Sequence, residues 1–535
     1  MSVARSVAEV LSEHVTLAIE GIDRMYLNGY VPKLQYEMGV VGFFRKHLGY
    51  TFASSALMDP ITKRFIASIE AFVRERGVPL IPFKKGQRKD TVAASYRARF
   101  VPEEGVMFVG KAQEKATVFR TEKRRHPETG RTYPWIVRTT ALVNQYYFYC
   151  IDRNFGPFFL KFCSYFPYTA KLCINGHEYL KRQLAQEGVA FEALDNGLLS
   201  CADPERAQAI CDNLSAEHID ALFRKWLAIL PHPFSEEDRR AGYYYDLSIL
   251  QVEFSLTQVL DRPLTGRIFF EEVIRENLDL GRPDRVQLIF GRRVTKQTPG
   301  RFRTRVLTDG VVPSLHVSYK WTRIKQYHKE GRALRTETTI NDTRDFAIGK
   351  RLHNLPALRE VGFSANRRLL DVERTSQDCS MDEDRFGRMN RPLQVGTQRS
   401  SALRFADPVV QGVFSVLVLF SLLPRGFTNR EFRERLAPVL GLPLSAMTPG
   451  RTSYQLRRLH LHGLIERQPR SNRYRVTKNG LRTALFCART YNRLLRPGYH
   501  SISPESLPRD NTLLRHFQNL EDLLDRRIAT AKLVA

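Results

Sequence analysis

The sequence predicts an α+β protein with a large body of mixed helices and strands, followed by a smaller, arginine-rich C-terminal domain of short helices. The chain has 535 residues, which at about 100–200 residues per domain is enough for three to four folding units. Apolar residues make up 43% and charged residues 26%, a composition typical of globular proteins and not of disordered ones. The hydrophobic period also changes repeatedly along the chain between the helical and the strand value.

The first region, residues 1–170, is predicted to be rich in β-structure. A short helix precedes an apolar stretch at 15–31, and a helix at 61–76 repeats apolar residues every three to four positions, from Ile61 through Phe65 to Phe72. Strands are expected at 105–109, 116–120, 135–140 and 145–151, separated by charged turns, with a further apolar segment at 158–166.

The second region, residues 171–374, is predicted to mix helices with a basic pair of strands. Helices are expected at 177–189, 204–214 and 215–230, then a further helix at 246–280, and the pattern returns to strands over 285–345. The polar, non-periodic segment 375–400 is predicted to be a linker. A C-terminal domain at 401–497 and a tail at 498–535 with a short helix complete the chain.

The charge of the chain predicts a polyanionic partner. The net charge is +27, and residues 401–500 hold 17 Lys and Arg, sixteen of them Arg, against four acidic residues. Binding of cationic side chains to nucleic-acid phosphates releases counterions, and Arg favours bidentate contacts to phosphate or guanine. A solvated basic surface without a partner is the alternative, and a role at a membrane surface is not expected.

The cysteines and the apolar runs predict a cytoplasmic location. Seven scattered cysteines lack any zinc-ribbon or CxxC spacing, which is typical of reduced thiols. No apolar run reaches the ~18 residues needed to span a bilayer, and the first residues lack the apolar core of a secretory signal.

The C-terminal domain has clear helix boundaries. An apolar helix is expected at 407–422, and Thr428 with Glu431 forms a capping box that begins a second helix. Thr448-Pro449 begins a third helix, whose inward stripe includes Leu456 and Leu459, and Gly463 ends it. Two short strands at 465–468 and 473–476 follow, and another helix begins after Thr477.

The run LRRLHLHGLIERQPRSNRYRVTKNGL resembles the recognition helix and wing of MarR-like winged-helix domains. The resemblance covers about 90 residues and implies DNA binding, with a winged helix-turn-helix fold over 401–497. The side chains expected to enter a major groove are Tyr454, Gln455, Arg457, Arg458 and His462. Arg470 and Arg473 on the wing are expected to reach phosphate or a minor groove. Some winged helices instead dock proteins.

The loop at 82–90 is a second candidate for nucleic-acid binding. It contains Lys84, Lys85, Arg88 and Lys89 around one glycine, and Glu114 follows at the end of the next predicted strand. The loop is not a P-loop, because the GxxxxGK[ST] pattern is absent. A loop that contacts phosphates and a plain solvated charge run are both compatible with this composition.

Asp152, His177 and Glu178 are candidate metal or catalytic residues because each is predicted to lie where a strand ends. Carboxylate oxygens at adjacent strand ends are how many nucleases bind Mg²⁺ or Mn²⁺. Asp23, which interrupts an apolar strand, is a further carboxylate of this kind. The alternative for Asn175-Gly176-His177-Glu178 is an ordinary turn into a helix.

The third candidate is the predicted strand pair that contains Lys325, Tyr327 and Lys329 on the first strand and Arg335 and Glu337 on the second. Alternation places each set on one sheet face, and a hairpin would join the two faces. Glu337 would serve as a metal ligand or base, and Tyr327 as a nucleophile whose pKa the nearby lysines lower. Lys325, Lys329 and Arg335 would stabilise the charge of a bound phosphate. A cross-strand ladder of ion pairs is the alternative.

The pattern K-x-Y-x-K…LR-x-E loosely resembles a strand pair of rolling-circle and filamentous-phage replication initiators, but the histidine pair of those nucleases is absent. Over its whole length the chain resembles a large bacterial family that shares the blocks FCSYFPYTAKLCINGHEYLKRQL and IKQYHKEGRALRTETTIND. We hypothesise a DNA-targeting protein of mobile-element origin, with metal-dependent phosphodiester cleavage or strand transfer in the body. The alternative is a non-catalytic DNA- or RNA-binding regulator or RNA partner protein.

Overall fold

The chain divides into two units in a computed structural model. The larger unit, here called the body, comprises Glu13–Ile268 and Gln287–Asn366; the C-terminal unit comprises Arg367–Ala535 with Met1–Ser12 and Phe269–Val286. The structure describes residues 11–84, 86–125, 127–262, 314–329, 332–377, 381–421, 423, 425–491 and a few residues between 516 and 527. Three predictions lie mainly outside these residues: the strands expected within 285–313, the second half of the helix expected at 246–280, and the helix of the tail.

Ten strands form one mixed sheet in the described part of the body, in the order β10–β11–β12–β9–β1–β6–β5–β4–β3–β2. All neighbours are antiparallel except β2 and β3. The strands are β1 Val15–Tyr30, β2 Leu80–Pro82, β3 Gly105–Arg125, β4 Thr132–Asp152, β5 Gly156–Cys163, β6 Ala170–Asn175, β9 Asp246–Leu260, β10 Ser314–Tyr319, β11 Thr322–Lys329 and β12 Ala333–Ile340. A separate two-stranded sheet joins β7 Phe191–Leu194 to β8 Gly197–Cys201.

Helices of the body bury one face of the large sheet in the main core. The helices are α1 Glu37–Gly42, α2 Ser55–Glu75, α3 Lys89–Arg97, α4 Gly176–Gln186, α5 Pro204–Asn213, α6 Ala216–Ile229 and α7 Glu236–Arg240. The core includes Phe65 of α2, Leu180 of α4 and Trp226 of α6, packed with strand residues such as Phe148 and Leu27. The opposite face has a smaller core under α3, formed by Phe108, Tyr147 and Tyr149 with Phe83 and Tyr96.

Helix α8, Leu355–Gln377, contains the boundary between the units, and the C-terminal unit continues with helices and two small sheets. Its further helices are α9 Glu383–Met389, α10 Pro408–Ser421, α11 Asn429–Val439, α12 Pro449–Leu461 and α13 Lys478–Arg489. One hairpin pairs β13 Leu393–Val395 with β14 Gln398–Ser400, and a three-stranded sheet has the order β15–β17–β16, with β15 Phe427–Thr428, β16 Ile465–Arg467 and β17 Arg473–Val476.

The predicted helix boundaries of the C-terminal unit are confirmed. Thr428 and Glu431 form a reciprocal capping box at the start of α11, and the Thr448 side chain accepts a hydrogen bond from the Arg451 backbone at the start of α12. Gly426, before β15, has a φ of 64°, and a Cβ there would lie 2.0 Å from the Tyr474 carbonyl oxygen. This close approach of two backbones requires glycine.

The structure differs from the sequence prediction in three places. Residues 246–260 form a strand and not a helix, because β9 pairs with β1 on one side and β12 on the other. The separate strands expected over 105–151 are one hairpin of two 21-residue strands. The segment 375–400 contains α9 and the β13–β14 hairpin where a linker was expected.

The described part of the chain contains no helix that is both long and apolar enough to cross a membrane. All six cysteines that the structure describes are free thiols, as the sequence predicts.

Candidate functional site

Three predicted site residues of the body, His177, Tyr327 and Glu337, meet around Arg335, together with Asp23. Strands β11 and β12 pair so that Lys325 lies opposite Glu337 and Tyr327 opposite Arg335, which confirms that these side chains share one sheet face. His177 reaches the same place from the first turn of α4. We call the set Asp23, His177, Tyr327, Arg335 and Glu337 the arginine network.

Asn175 and Gly176 position His177 in the arginine network. The Asn175 side chain caps α4 by accepting hydrogen bonds from the backbone of His177 at 2.8 Å and Glu178 at 3.2 Å. A Cβ on Gly176 would lie 2.1 Å from the Ile22 carbonyl oxygen, so only glycine lets α4 begin this close to β1. The predicted turn into a helix is therefore present, and it directs His177 into the protein.

Arg335 is fully buried and donates hydrogen bonds in three directions. Its Nη2 lies 2.5 Å from Asp23 Oδ2, and its Nε lies 2.8 Å from Glu337 Oε1. Its Nη1 contacts the Asn196 carbonyl oxygen. The prediction that Arg335 contacts phosphate differs from this geometry, because the guanidinium is 0% exposed and its donors are used inside the body.

The pKa values of the two carboxyl groups beside Arg335 are shifted in opposite directions. Burial opposes ionisation of Asp23, but the Arg335 guanidinium and the hydrogen bond from the Asn196 amide outweigh it and lower the pKa of Asp23 to about 2. Burial and the neighbouring Asp23 charge raise the pKa of Glu337. Asp23 is thus the firmly ionised partner of Arg335.

His177 is a neutral imidazole in this network. Burial and the adjacent Arg335 lower the pKa of His177 to about 3. Its Nε2 accepts a hydrogen bond from Arg335 Nη2 at 3.0 Å and lies 2.9 Å from Ser255 Oγ. Because arginine stays protonated, Nε2 is the unprotonated nitrogen of the ring.

Tyr327 donates a hydrogen bond to Glu337 Oε1 at 2.8 Å, and the Lys325 Nζ lies 3.9 Å from the centre of its ring. The expectation that nearby lysines lower the pKa of Tyr327 is wrong, since burial and the Glu337 charge raise it. The phenol therefore acts as a hydrogen-bond donor at neutral pH. Lys325 contacts the face of the ring and not its oxygen.

The three predicted metal ligands are each engaged by cationic side chains. Asp152 accepts from Lys225 Nζ at 2.8 Å and from the Trp226 indole at 2.9 Å, and Glu178 pairs with Arg97 at 2.6 Å and Lys181 at 3.0 Å. Four strands separate β4, which ends at Asp152, from β12, which contains Glu337, a span of roughly 24 Å at ~4.8 Å per strand. In the described residues no three His, Cys, Asp or Glu side chains form a group that could hold a metal ion.

A second cluster lies on the sheet face that carries the smaller core under α3, where Lys89 from the predicted phosphate loop reaches Glu114. Glu114 Oε1 also accepts from Tyr147 at 2.5 Å, and Oε2 accepts from Lys161 at 2.7 Å. Burial opposes ionisation of Glu114, but these hydrogen bonds lower its pKa to about 2. Lys89 is thus half-buried and paired, whereas Lys84 and Arg88 are exposed and Lys85 lies outside the described residues.

On α12 the predicted groove-facing residues divide into exposed and buried ones. Tyr454 is 52% exposed and Arg457 is exposed, whereas Gln455 is half-buried. Arg458, predicted to face outward, is 6% exposed; it donates to Gln455 at 2.8 Å and to the Ala402 carbonyl oxygen. His462 is half-buried, with Nε2 3.0 Å from the Ser401 carbonyl oxygen.

The two predicted wing arginines, on the hairpin of β16 and β17, have different surroundings. Arg470 is exposed at the turn, with a φ of 54°. Arg473 differs from the prediction, because its guanidinium donates to the carbonyl oxygens of Arg425 at 2.9 Å and Gly426 at 3.2 Å. Arg473 therefore fastens β15 to β17.

Sequence reasoning missed the partners that complete the arginine network. Asn196 binds the Asp23 carboxylate and accepts from Asn175 at 2.8 Å, and Ser255 lies beside His177. The Asn-Gly pair at 196–197 is a hairpin signal, which predicts a turn but not a contact with β1.

No protein-family model matches this chain, and neither a curated protein nor a solved structure is detectably similar to it.

Proposed function

We propose that this is a nucleic-acid-binding protein whose C-terminal unit contains, over 401–497, a MarR-like winged helix that binds duplex DNA. The observation that carries the proposal is the outer surface of α12, which exposes Arg451, Tyr454 and Arg457 at a spacing of three residues. Residues three and four apart lie on the same side of a helix, so these three side chains form one cationic and aromatic stripe.

The order of elements supports the same proposal. Helix α10, strand β15, helices α11 and α12, and the β16–β17 hairpin follow one another as in winged helices. In that arrangement the helix before the hairpin enters the major groove and the hairpin turn reaches the backbone. Arg470 at that turn is exposed, which fits a phosphate contact.

For both units we propose nucleic-acid binding and no catalytic activity. Cleavage or strand transfer that depends on Mg²⁺ or Mn²⁺, with Asp152, His177 or Glu337 as participants, stays a prediction from the sequence. The arginine network favours a structural role for Glu337, since its carboxyl group is occupied by Arg335 and Tyr327.

The test is the salt dependence of binding to a labelled random-sequence DNA duplex, measured by fluorescence anisotropy with the full chain. For Arg457→Gln we expect Kd to rise about threefold to tenfold, and the slope of log K against log salt to become shallower by about 0.9, because one phosphate is no longer neutralised. Arg430→Gln is the matched control, because Arg430 is exposed on α11 and pairs with Glu434 at 2.9 Å.

Two outcomes would contradict the proposal. The wild-type chain could fail to bind the duplex in low salt, or the double variant Arg451→Gln/Arg457→Gln could bind with the wild-type affinity and slope. Single-stranded DNA and RNA of the same sequence serve as competitors, and a preference for RNA would favour the alternative of an RNA partner protein.

A further inference from the structure

The body contains a two-stranded extension that no function above explains. Strands β3 and β4 stay paired from Gly105↔Ile151 to Arg125↔Thr132. The last contact of this hairpin with the main core is made by Phe119 and Ile136. Beyond them, Glu122–Arg125 and Thr132–Trp135 continue as a ribbon, which we call the β-arm. Four residues at ~3.4 Å each give the paired part of the β-arm a length of about 14 Å.

The β-arm is cationic and exposed. Glu122, Lys123, Arg124 and Arg125 are all exposed, as is Arg131 in the turn. The ion pair of Arg124 with Glu122, at 3.8 Å, is long and lies at the surface, so it neutralises little of this charge. The positive side chains of the β-arm repel one another unless an anion binds between them.

Cations lie on both faces of the β-arm. Successive residues of a strand point to opposite faces, so Lys123 and Arg125 project to one side and Arg124 to the other. Arg124 lies 5.2 Å from the ring centre of Trp135, and Tyr133 is opposite it across the ribbon. The charged residues of one face are therefore all basic, and the other face combines Arg124 and Glu122 with two aromatic rings.

We propose that the β-arm is a second nucleic-acid contact that inserts into the major groove of duplex DNA. The major groove of B-DNA is about 12 Å wide and admits a two-stranded β-ribbon. A ribbon in that groove has phosphates on both sides, which matches cations on both faces. The deep, narrow major groove of A-form RNA does not admit such a ribbon, so the partner is DNA and not duplex RNA.

The β-arm proposal extends the proposed function and rests on it only for the choice of a nucleic acid as the partner. The probe is the random-sequence DNA duplex, with the full chain and the triple variant Lys123→Gln/Arg124→Gln/Arg125→Gln. We expect the triple variant to bind at least about tenfold more weakly in low salt, with a slope shallower by about 0.9 for each phosphate that the variant no longer neutralises.

The matched control removes three exposed arginines from other parts of the body, Arg64→Gln/Arg74→Gln/Arg239→Gln. The Kd of this control for the duplex should stay within about twofold of the wild-type value. Charges that lie farther from the DNA than the screening length of ~10 Å contribute little to binding. The variant Arg124→Lys/Arg125→Lys keeps the positive charge, so its slope of log K against log salt should equal that of the wild type. A weaker affinity of the triple variant then reflects lost contacts to phosphate and not a folding defect.

Each result decides the β-arm proposal. Equal affinities and slopes for the triple variant and the wild type, or equal losses in the triple variant and its control, would overturn it while leaving the α12 proposal intact. Failure of the wild type to bind any duplex would overturn both. Binding of anionic phosphatidylserine vesicles by the wild type, abolished in the triple variant while DNA binding is retained, would assign the β-arm to a membrane surface and also overturn the proposal.

Discussion

Replacing Arg335 with methionine tests whether the arginine network holds the body together. The Arg335 side chain is 0% exposed and that of Asp23 is 6% exposed, so the variant leaves an ionised carboxylate buried without its cation. Removing one partner of a buried pair costs about 3–5 kcal/mol of unfolding free energy. We expect a loss of that size for Arg335→Met at neutral pH.

The three tryptophans make the measurement specific to the body. Trp135, Trp226 and Trp321 all lie in the body, so tryptophan fluorescence during urea denaturation follows that unit alone. The matched control is Arg344→Met, since Arg344 pairs with Asp342 at 2.7 Å but is 75% exposed. An exposed pair contributes about 0–1 kcal/mol, so the control should unfold close to the wild type.

A second substitution shows whether the buried charge causes the loss. Asp23→Asn in the Arg335→Met background removes the unpaired carboxylate, so the double variant should be more stable than Arg335→Met alone. The defect of Arg335→Met should also shrink as the pH falls, because Asp23 without its cation protonates at a higher pH than the wild-type value of about 2. The reasoning is refuted if Arg335→Met costs no more than Arg344→Met.

Three other sites give measurable expectations. Because the pKa of His177 is about 3 in the folded body but ~6.5 when unfolded, the body should lose up to about 5 kcal/mol as the pH falls from 6.5 towards 3, and His177→Gln should flatten that loss in urea titrations. Glu114→Gln leaves the 8%-exposed Lys161 without its carboxylate and should cost about 1–3 kcal/mol in the same assay; an unchanged midpoint would show that Lys161 reaches water. Gly426→Ala should speed amide hydrogen exchange in β17 at least about tenfold, whereas Gly387→Ala, with open space around it, should leave exchange unchanged.

The arginine network shows what a strand pattern can and cannot predict. Alternation of Lys325, Tyr327, Arg335 and Glu337 placed them on one sheet face, because the side-chain period of a strand is fixed by the backbone. The same pattern did not show that Asp23 would pair with Arg335, since β9 lies between their strands β1 and β12 in the sheet. That ion pair depends on the register between strands distant in sequence.

Strand β9 and Arg458 show the same difference. The apolar residues of β9 fit a helical period, and only pairing with β1 and β12 made the segment a strand. On α12 the helix and its cap were predictable, but Arg458 turns inward because the Ala402 carbonyl oxygen lies within reach. In both cases residues distant in sequence determine the secondary structure of a segment or the direction of a side chain.

By itself the sequence determined the local structure: the caps at Thr428 and Thr448, the short elements of the C-terminal unit and the excess of cations. These features follow from backbone geometry and charge within a few residues. The tertiary structure alone decided which cations donate hydrogen bonds inside the protein, as Arg335, Arg458 and Arg473 do, and which stay exposed, as in Arg457 and the β-arm. The reason is that burial and pairing depend on distances between segments, which no local pattern fixes.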